Sequence, residues 1–226
     1  MKEIDELYNP INIASRAEYF FNISKCRREL LFNNKNKLQA IYDIINKHRG
    51  NKILIVSKTD AFASIVTDYL NACAKTPKDY ICLNYHDNLE KIPAVDENGR
   101  AIAVKSGKNK GELKMLGTQA QCTQAELRFN NNEVNILSIK DTSQDNLKVE
   151  CDVIIFTTPL CANIVQFRQR FVNVTFNTNP LITYKIYTSN TVEEVKLNSN
   201  INGCRIEIVE EEKDIIFDNS TTTVII

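Results

Sequence analysis

The chain has 226 residues, of which 28 are lysine or arginine and 28 are aspartate or glutamate, so its formal net charge is zero. This length allows one sizeable core, and 43% hydrophobic and 25% charged residues are ordinary for a soluble globular domain. A neutral chain is not basic throughout, so any nucleic-acid-binding surface has to be local. No apolar run approaches the roughly 20 residues that a membrane-spanning helix needs, and the polar N-terminus is unlike a signal peptide. We therefore expect a cytoplasmic protein without a membrane partner.

The seven cysteines form no pattern typical of a metal site or of a disulfide framework. No two are spaced as Cys-x-x-Cys, neither histidine stands near a cysteine pair, and the number is odd. Most lie in apolar segments, where cysteine behaves as a small hydrophobic residue. We expect no metal site.

The first part of the chain contains an extension followed by alternating helices and strands. Residues 1–33 show no clear periodic pattern and are predicted to be an N-terminal extension. Beyond them, apolar residues recur first at helical spacing and then in short runs typical of buried strands. The predicted elements are a helix over 35–48, a strand over 52–56, a helix from Thr59 or Asp60 to about 74, and a strand over 80–83.

Residues 87–117 interrupt this alternation. Two apolar segments, 92–95 and 101–104, flank Asp96-Glu97-Asn98-Gly99-Arg100, which is a hairpin signal. In the lysine- and glycine-rich stretch that follows, residues 105–114 hold four lysines and one glutamate, a net charge of +3. We predict an exposed insertion made of a β-hairpin and a basic segment.

Helices and strands resume after the insertion. The predicted elements are a helix over 118–130 opened by a Thr118–Gln121 capping box, strands over 134–139 and 152–156, a helix from Pro159 to about 171, a strand over 181–187, and a short helix opened by Thr191 with Glu194. Between two of these strands, residues 140–150 read as a polar loop. Five strands alternating with helices predict an α/β fold, with a mostly parallel sheet covered by helices on both faces.

Residues 198–226 are predicted to be an acidic C-terminal arm. The last 26 residues hold six acidic and two basic side chains, which gives a net charge of −4. Apolar runs at 205–209 and 215–217 indicate an added hairpin or arm. Positive charge is thus concentrated in the insertion and negative charge in the arm, which suggests that the two segments have separate roles.

Seven segments, in this order and at plausible spacing, resemble the C-terminal lobe of superfamily-2 helicases of the Swi/Snf translocase type. The resemblance covers about residues 27–197. The segments are 35–50 (first helix), 52–57 (motif four), Tyr85-His86-Asp87 (loop after the second strand), 126–138 (helix and strand before motif five), 152–156 with Pro159 (strand and proline before motif six), 166–170 (start of motif six), and 184–187 with 191–194 (closing strand and Thr-x-Glu-Glu). The resemblance implies a RecA-like lobe over residues 34–197.

The resemblance also implies that this lobe is degenerate. In the family, a first lobe supplies the P-loop and the carboxylates for Mg²⁺, and this chain contains no Gly-x4-Gly-Lys-Ser/Thr motif. Motif six has Gln166 followed four residues later by Arg170, but Asn173 stands seven residues on, where the arginine finger belongs. An arginine finger is worth roughly 10³–10⁵ in rate. The motif-five region, 140–146, has no glycine and two acids. We expect no catalytic residue beyond the motif-six remnants Gln166 and Arg170, and no cofactor for the chain alone.

The first functional hypothesis is a binding or assembly module that grips a DNA or RNA backbone or another protein. In the family, the tracking surface lies at the ends of motifs four and five, and hydroxyl and ammonium groups there can bind phosphate. A second candidate surface is the basic insertion, whose lysines can follow a phosphate backbone. The candidate nucleic-acid-binding residues are Ser57, Lys58, Thr59, Ser138, Lys140 and Thr142 at the strand ends, and Lys105, Lys108, Lys110 and Lys114 in the insertion.

The alternative hypothesis is one subunit of a split ATP-dependent helicase or translocase, whose P-loop lobe lies on another chain. ATP and Mg²⁺ would then be cofactors only of the assembled pair. A Rossmann-type enzyme is disfavoured, because Ser57-Lys58-Thr59-Asp60-Ala61 follows the first strand in place of a glycine-rich turn. The asparagine- and lysine-rich composition is typical of an AT-rich coding genome such as that of a phage or another virus, which would place the protein in the host cytoplasm. DNA, RNA and protein stay open as ligands.

Overall fold

The computed structural model of the chain describes residues 10–74, 81–96, 99–141, 147–158, 174–176, 182–193, 206–208 and 223–225. The chain divides into two compact units, residues 1–35 and residues 36–226. In the first unit, helix α1 spans Pro10–Phe32. In the part of the chain that the structure describes, no helix combines the length and the apolar character that crossing a membrane requires.

A seven-stranded sheet forms the centre of the second unit, with the order β2-β5-β1-β7-β9-β11-β10. Every pairing within it is parallel, and β1 lies between β5 and β7. The strands of this sheet are β1 (Ile53–Ser57), β2 (Cys82–Tyr85), β5 (Ile136–Lys140), β7 (Val153–Phe156), β9 (Ile182–Lys185), β10 (Ile206–Ile208) and β11 (Thr223–Ile225).

Helices cover both faces of this sheet. Side chains along a strand point alternately to opposite faces, so Ile53 and Ile55 of β1 face one core and Leu54 and Val56 the other. The first core is completed by α2 (Lys37–Lys47) and α3 (Asp60–Cys73), and the second by α4 (Thr118–Asn130). The predicted α/β fold with a mostly parallel sheet and helices on both faces is confirmed, and the arrangement is consistent with a RecA-like lobe.

The insertion between β2 and α4 contains the predicted hairpin and a further return strand. Val95 and Ala101 form an antiparallel bridge across the turn, and the Asp96 N–H donates to Arg100 O at 2.9 Å. The chain then returns, so that β4 (Met115–Leu116) pairs antiparallel with β3 (Ile92–Pro93). The base of the insertion is thus closed by backbone pairing.

The capping box predicted at Thr118 and Gln121 is wrong. Gly117 is the N-cap of α4, and Thr118 Oγ1 instead donates to Leu89 O at 3.2 Å. Gln121 Nε2 donates to Glu90 O at 2.7 Å and to the carbonyl of residue 116 at 3.1 Å. These side chains are used to hold the two ends of the insertion, a tertiary role that outweighs the local cap.

One further prediction needs correction, and several fall wholly or partly on residues that are not described. The polar loop predicted over 140–150 includes β6 (Val149–Cys151), which pairs in parallel with β8 (Val174–Phe176). In the C-terminal arm, β10 and β11 pair in parallel and join the main sheet, while residues 215–217, the second apolar run of the predicted hairpin or arm, lie outside the described residues. The helix predicted from Pro159 to 171 and Glu194 lie outside the described residues.

Candidate nucleic-acid interface

The carboxyl ends of β1, β2, β5 and β7 lie along one edge of the sheet because these strands run parallel. The register places Ser57 beside Lys140, and the N–H of Asp141 donates to Ser57 O at 2.8 Å. Ligands of open α/β sheets bind outside this edge. The fold therefore brings together the candidate residues that follow β1 with Lys140 at the end of β5. We call the residues from Ser57 to Asp60, with His86, Lys140 and Asp141, the strand-end cluster.

Two reciprocal ion pairs cross the strand-end cluster. Lys58 Nζ lies 2.5 Å from Asp141 Oδ2, and Lys140 Nζ lies 3.2 Å from Asp60 Oδ2. The turn after β1 and the turn after β5 each contribute one cation and one anion. The Asp141 side chain is only 3% exposed, whereas that of Lys58 is 38% exposed. The formal charge of the four side chains therefore sums to zero, and neither ammonium group is an isolated positive charge.

Three of the predicted phosphate-binding hydroxyl groups are described, and two of them already take part in a hydrogen bond within the protein. Thr59 Oγ1 caps α3 by accepting from the Phe62 N–H at 3.1 Å, as predicted for this helix start. Ser138 Oγ is buried and donates to Ala63 O at 3.0 Å, which ties β5 to α3. Ser57 Oγ is fully buried and, within the described residues, has no hydrogen-bond partner. Phosphate binding by Thr59 or Ser138 would thus compete with an internal hydrogen bond.

His86 occupies the inner side of the strand-end cluster, directly after β2, and is 1% exposed. Its Nε2 lies 3.0 Å from Ser64 Oγ, and its Nδ1 lies 3.8 Å from Asp60 Oδ1. Burial lowers the pKa of His86, and the nearby Lys140 ammonium lowers it further, while the carboxylates of Asp60 and Asp87 act in the opposite direction. The neutral imidazole is therefore favoured near neutral pH.

A buried ion pair lies at the end of β7. Lys37 Nζ donates to both carboxylate oxygens of Glu193 and to Thr157 O, each at 2.8 Å. Glu193 Oε2 also accepts from the Thr188 N–H at 2.9 Å. Burial lowers the pKa of Lys37, and the hydrogen bond and charge of Glu193 partly offset this effect. This pair connects the start of α2 with the chain segments that follow β7 and β9.

The lysines of the insertion are in a different environment from those of the strand-end cluster. All four are exposed, and no carboxylate of the described residues lies within 4.0 Å of their ammonium groups. The segment that carries them turns at Gly107 and Gly111, whose φ angles of 92° and 93° are unfavourable for other residues. The four residues are Lys105, Lys108, Lys110 and Lys114.

Three predicted site residues lie outside the described residues: Thr142 of the motif-five region, and the motif-six remnants Gln166 and Arg170. In the described part of the chain, no group of three or more histidine, cysteine, aspartate or glutamate side chains is placed to hold a metal ion.

The aspartates that pair with Lys58 and Lys140, and the buried Lys37–Glu193 ion pair, were not predicted as site residues. Asp60 and Asp141 each stand within two residues of a candidate lysine, so the alternating charge in both turns was the available signal. Lys37 and Glu193 lie 156 positions apart, and no local pattern reports such a pairing.

Comparison with known proteins gives similarities to solved structures, all of them reached through the fold. No protein-family model matches the sequence, and no curated protein matches it. The fold is similar to the helicase domain of Hef from Pyrococcus furiosus, with 13% sequence identity and a TM-score of 0.44. That similarity covers 73% of this chain and 27% of the Hef chain, so the chain spans about a quarter of the length of this neighbour.

Proposed function

We propose that the protein is a nucleic-acid-backbone-binding module built on a RecA-like lobe that resembles the C-terminal half of superfamily-2 helicases, without ATPase activity of its own. The observation that carries the proposal is the set of four exposed lysines in the insertion, which lack carboxylate partners among the described residues. Free lysines on an exposed segment supply the charge that displaces counterions from a phosphate backbone.

The insertion supports contact with the backbone more than with the bases. Residues 87–117 contain no phenylalanine, tyrosine or tryptophan, so this segment has no aromatic ring on which a base could stack. Lysine contacts to phosphate carry no sequence information. We therefore propose binding that is independent of sequence, strongly weakened by salt, and open to both DNA and RNA.

The strand-end cluster is proposed as a second, weaker contact. Lys58 and Lys140 are each held by an aspartate, so a phosphate has to compete with an existing ion pair. The Lys58 side chain is 38% exposed and that of Lys140 is 25% exposed, so both lysines reach the surface at this edge. The insertion is expected to provide most of the affinity near neutral pH, and the strand-end cluster less.

A salt titration of binding tests this proposal. Fluorescence anisotropy with labelled single- and double-stranded DNA and RNA measures the affinity over a range of salt concentrations. Replacing the four insertion lysines by glutamine is expected to reduce the slope of log affinity against log salt by about one unit per lysine. The matched control is Lys47→Gln, an exposed lysine that ends α2 before β1 begins and is expected to leave the slope unchanged.

Two outcomes would contradict the proposal. The first is that no oligonucleotide binds at low salt, which would point to a protein partner. The second is that the four-lysine variant binds as tightly as the parent chain. The proposed lack of ATPase activity is tested separately, by phosphate release from ATP with and without DNA. Turnover by this chain alone would overturn that part of the proposal.

A further inference from the structure

The two carboxylate oxygens of Asp60 have different environments. Asp60 Oδ2 accepts from Lys140 Nζ at 3.2 Å and also from Asn88 Nδ2. Asp60 Oδ1 is buried, and it has no hydrogen-bond partner among the described residues. His86 Nδ1 lies 3.8 Å from Oδ1, which is beyond hydrogen-bond distance. One side of this carboxylate is therefore satisfied, and the other side faces an imidazole nitrogen without a bond.

The neutral imidazole explains why this bond is not made. The Asn88 N–H points at His86 Nδ1 from 3.4 Å, which is compatible with an unprotonated Nδ1, and Nε2 faces Ser64 Oγ at 3.0 Å. A proton on Nδ1 would turn that nitrogen into a donor, so the long contact from the Asn88 N–H would give way to a bond with Asp60 Oδ1. The movement needed to form the bond is about 1 Å, from 3.8 Å to the usual N–H···O distance. Protonation thus gives a buried, unpaired oxygen a charged donor.

We propose that protonation of His86 releases Lys140 from Asp60, so that the lysine becomes available to a phosphate oxygen of a bound nucleic acid. The inference rests on the proposed function and specifies how the strand-end cluster is regulated. With neutral His86, Lys140 is the cationic partner of Asp60. With protonated His86, the imidazolium binds Oδ1 and shares the single negative charge of Asp60, so the attraction that holds Lys140 at Oδ2 weakens and the partly exposed lysine side chain turns to the ligand. Binding at this edge then strengthens as the pH falls.

The other groups around His86 fit this exchange. Helix α3 contributes Asp60 and Ser64, and β5 contributes Lys140. From α4, Cys122 Sγ donates to the backbone carbonyl of His86 at 3.6 Å, a bond to the backbone and not to the ring. Asp87, exposed in the same loop, adds negative charge that favours the imidazolium. Because burial opposes that form, the transition is expected below the ordinary histidine pKa.

The first experiment tests the exchange without any nucleic acid. The sequence contains two histidines, so NMR titration of the imidazole signals, assigned with a His48→Gln variant, follows His86 individually. Lys140→Met is expected to raise the pKa of His86, because a nearby cation is removed, and Asp60→Asn is expected to lower it. A His86 pKa that is the same in the parent chain and in Lys140→Met would overturn the inference.

The second experiment measures the affinity for an oligothymidylate strand between about pH 7.5 and about pH 5, where thymine does not titrate. The parent chain is expected to bind about three- to tenfold tighter at the acidic end, the effect of about one added phosphate contact. His86→Gln is expected to remove this gain. The matched control His48→Gln changes the other buried histidine, which lies 2.6 Å from the Tyr184 hydroxyl, and is expected to keep the gain.

The results separate this inference from the proposed function. Binding that does not change with pH, or that changes equally in His86→Gln, overturns the role of His86 and leaves the binding module intact. If no strand binds at any pH, both proposals fail. If His86→Gln does not fold, the parent chain still decides: bound oligothymidylate is expected to raise the NMR-measured pKa of His86, and an unchanged pKa in the complex would overturn the inference.

Discussion

Removal of the cation from the buried ion pair at the end of β7 tests how the described core is held together. Lys37 is 3% exposed, and its ammonium group makes three hydrogen bonds of 2.8 Å, two to Glu193 and one to Thr157 O. Lys37→Met keeps most of the side-chain volume and removes the charge. The Glu193 carboxylate, 3% exposed, would then lie buried without a cation, with the Thr188 N–H still donating to it.

An uncompensated buried charge of this kind costs about 3–5 kcal/mol. A domain of ordinary stability has about 5–15 kcal/mol in total, so the loss is a large fraction of the free energy of unfolding. For a unit of this size, each kcal/mol corresponds to about 2–4 °C in Tm, and we expect a decrease of about 6–20 °C. Thermal and urea unfolding followed by circular dichroism measure both quantities.

An exposed ion pair provides the control for this prediction. Arg128 Nε lies 3.3 Å from Glu133 Oε2, with 43% and 53% of the two side chains exposed, so Arg128→Met is expected to change stability little. Adding Glu193→Gln to Lys37→Met is expected to recover part of the loss, since a neutral amide replaces the stranded carboxylate while its oxygen can accept from the Thr188 N–H. The reasoning is refuted if Lys37→Met costs no more than Arg128→Met, or if the double variant is less stable than Lys37→Met alone.

Three further predictions concern single residues. Burial lowers the pKa values of His48 and His86, so the unfolded chain takes up protons at higher pH than the folded chain does. The free energy of unfolding is therefore expected to fall as the pH drops below about 6.5. Urea titrations at several pH values measure this loss, which should shrink when His48 is replaced by glutamine. Burial raises the pKa of Cys82 to about 12, whereas Cys26 is exposed. A thiol reagent is therefore expected to label Cys26 in the native protein and Cys82 only after unfolding, as measured by peptide mass mapping. Equal labelling of the two cysteines in the native protein would contradict this expectation. Gly50 has a φ of 88°, a backbone conformation that glycine and asparagine adopt more readily than alanine. Gly50→Ala is therefore expected to lower the free energy of unfolding by about 1 kcal/mol, and Gly50→Asn by less, as measured by chemical denaturation. Equal losses for the two variants would contradict this expectation.

The parts of the fold that follow from local patterns could be predicted from the sequence. The apolar run of β1 and the Thr59 cap of α3 depend on neighbours in the chain, and both are present in the structure. Thr118 and Gln121 carry the same kind of local signal, yet their side chains bind carbonyls of the insertion. A capping pattern shows which groups are available and does not show which partner the tertiary fold brings to them.

The strand-end cluster could be predicted only in part. The resemblance to a helicase lobe implied that Ser57, Lys58 and Lys140 share one surface, and the parallel register of β1 and β5 places Ser57 beside Lys140. Each of these two lysines is paired with an aspartate that lies 83 or 80 residues away in the sequence. Such pairings are set by the register of β1 with β5, which no local pattern reports. The exposed lysines of the insertion needed no such register, because a polar segment without helical or strand periodicity is expected at the surface.

The attachment of the insertion also has a consequence for engineering and for divergence of this chain. Thr118 and Gln121 hold the incoming segment at residues 89 and 90, and Gln121 also holds the outgoing segment at residue 116, next to the β3–β4 pair. The stem is therefore anchored to α4 independently of its tip. Residues 105–110 lie beyond the backbone hydrogen bonds that join Val104 to Gly111 and Glu112, so this tip is expected to tolerate shortening, lengthening or replacement while the two anchor points stay in register. The scaffold is thus built to carry exchangeable tips without a change in the sheet.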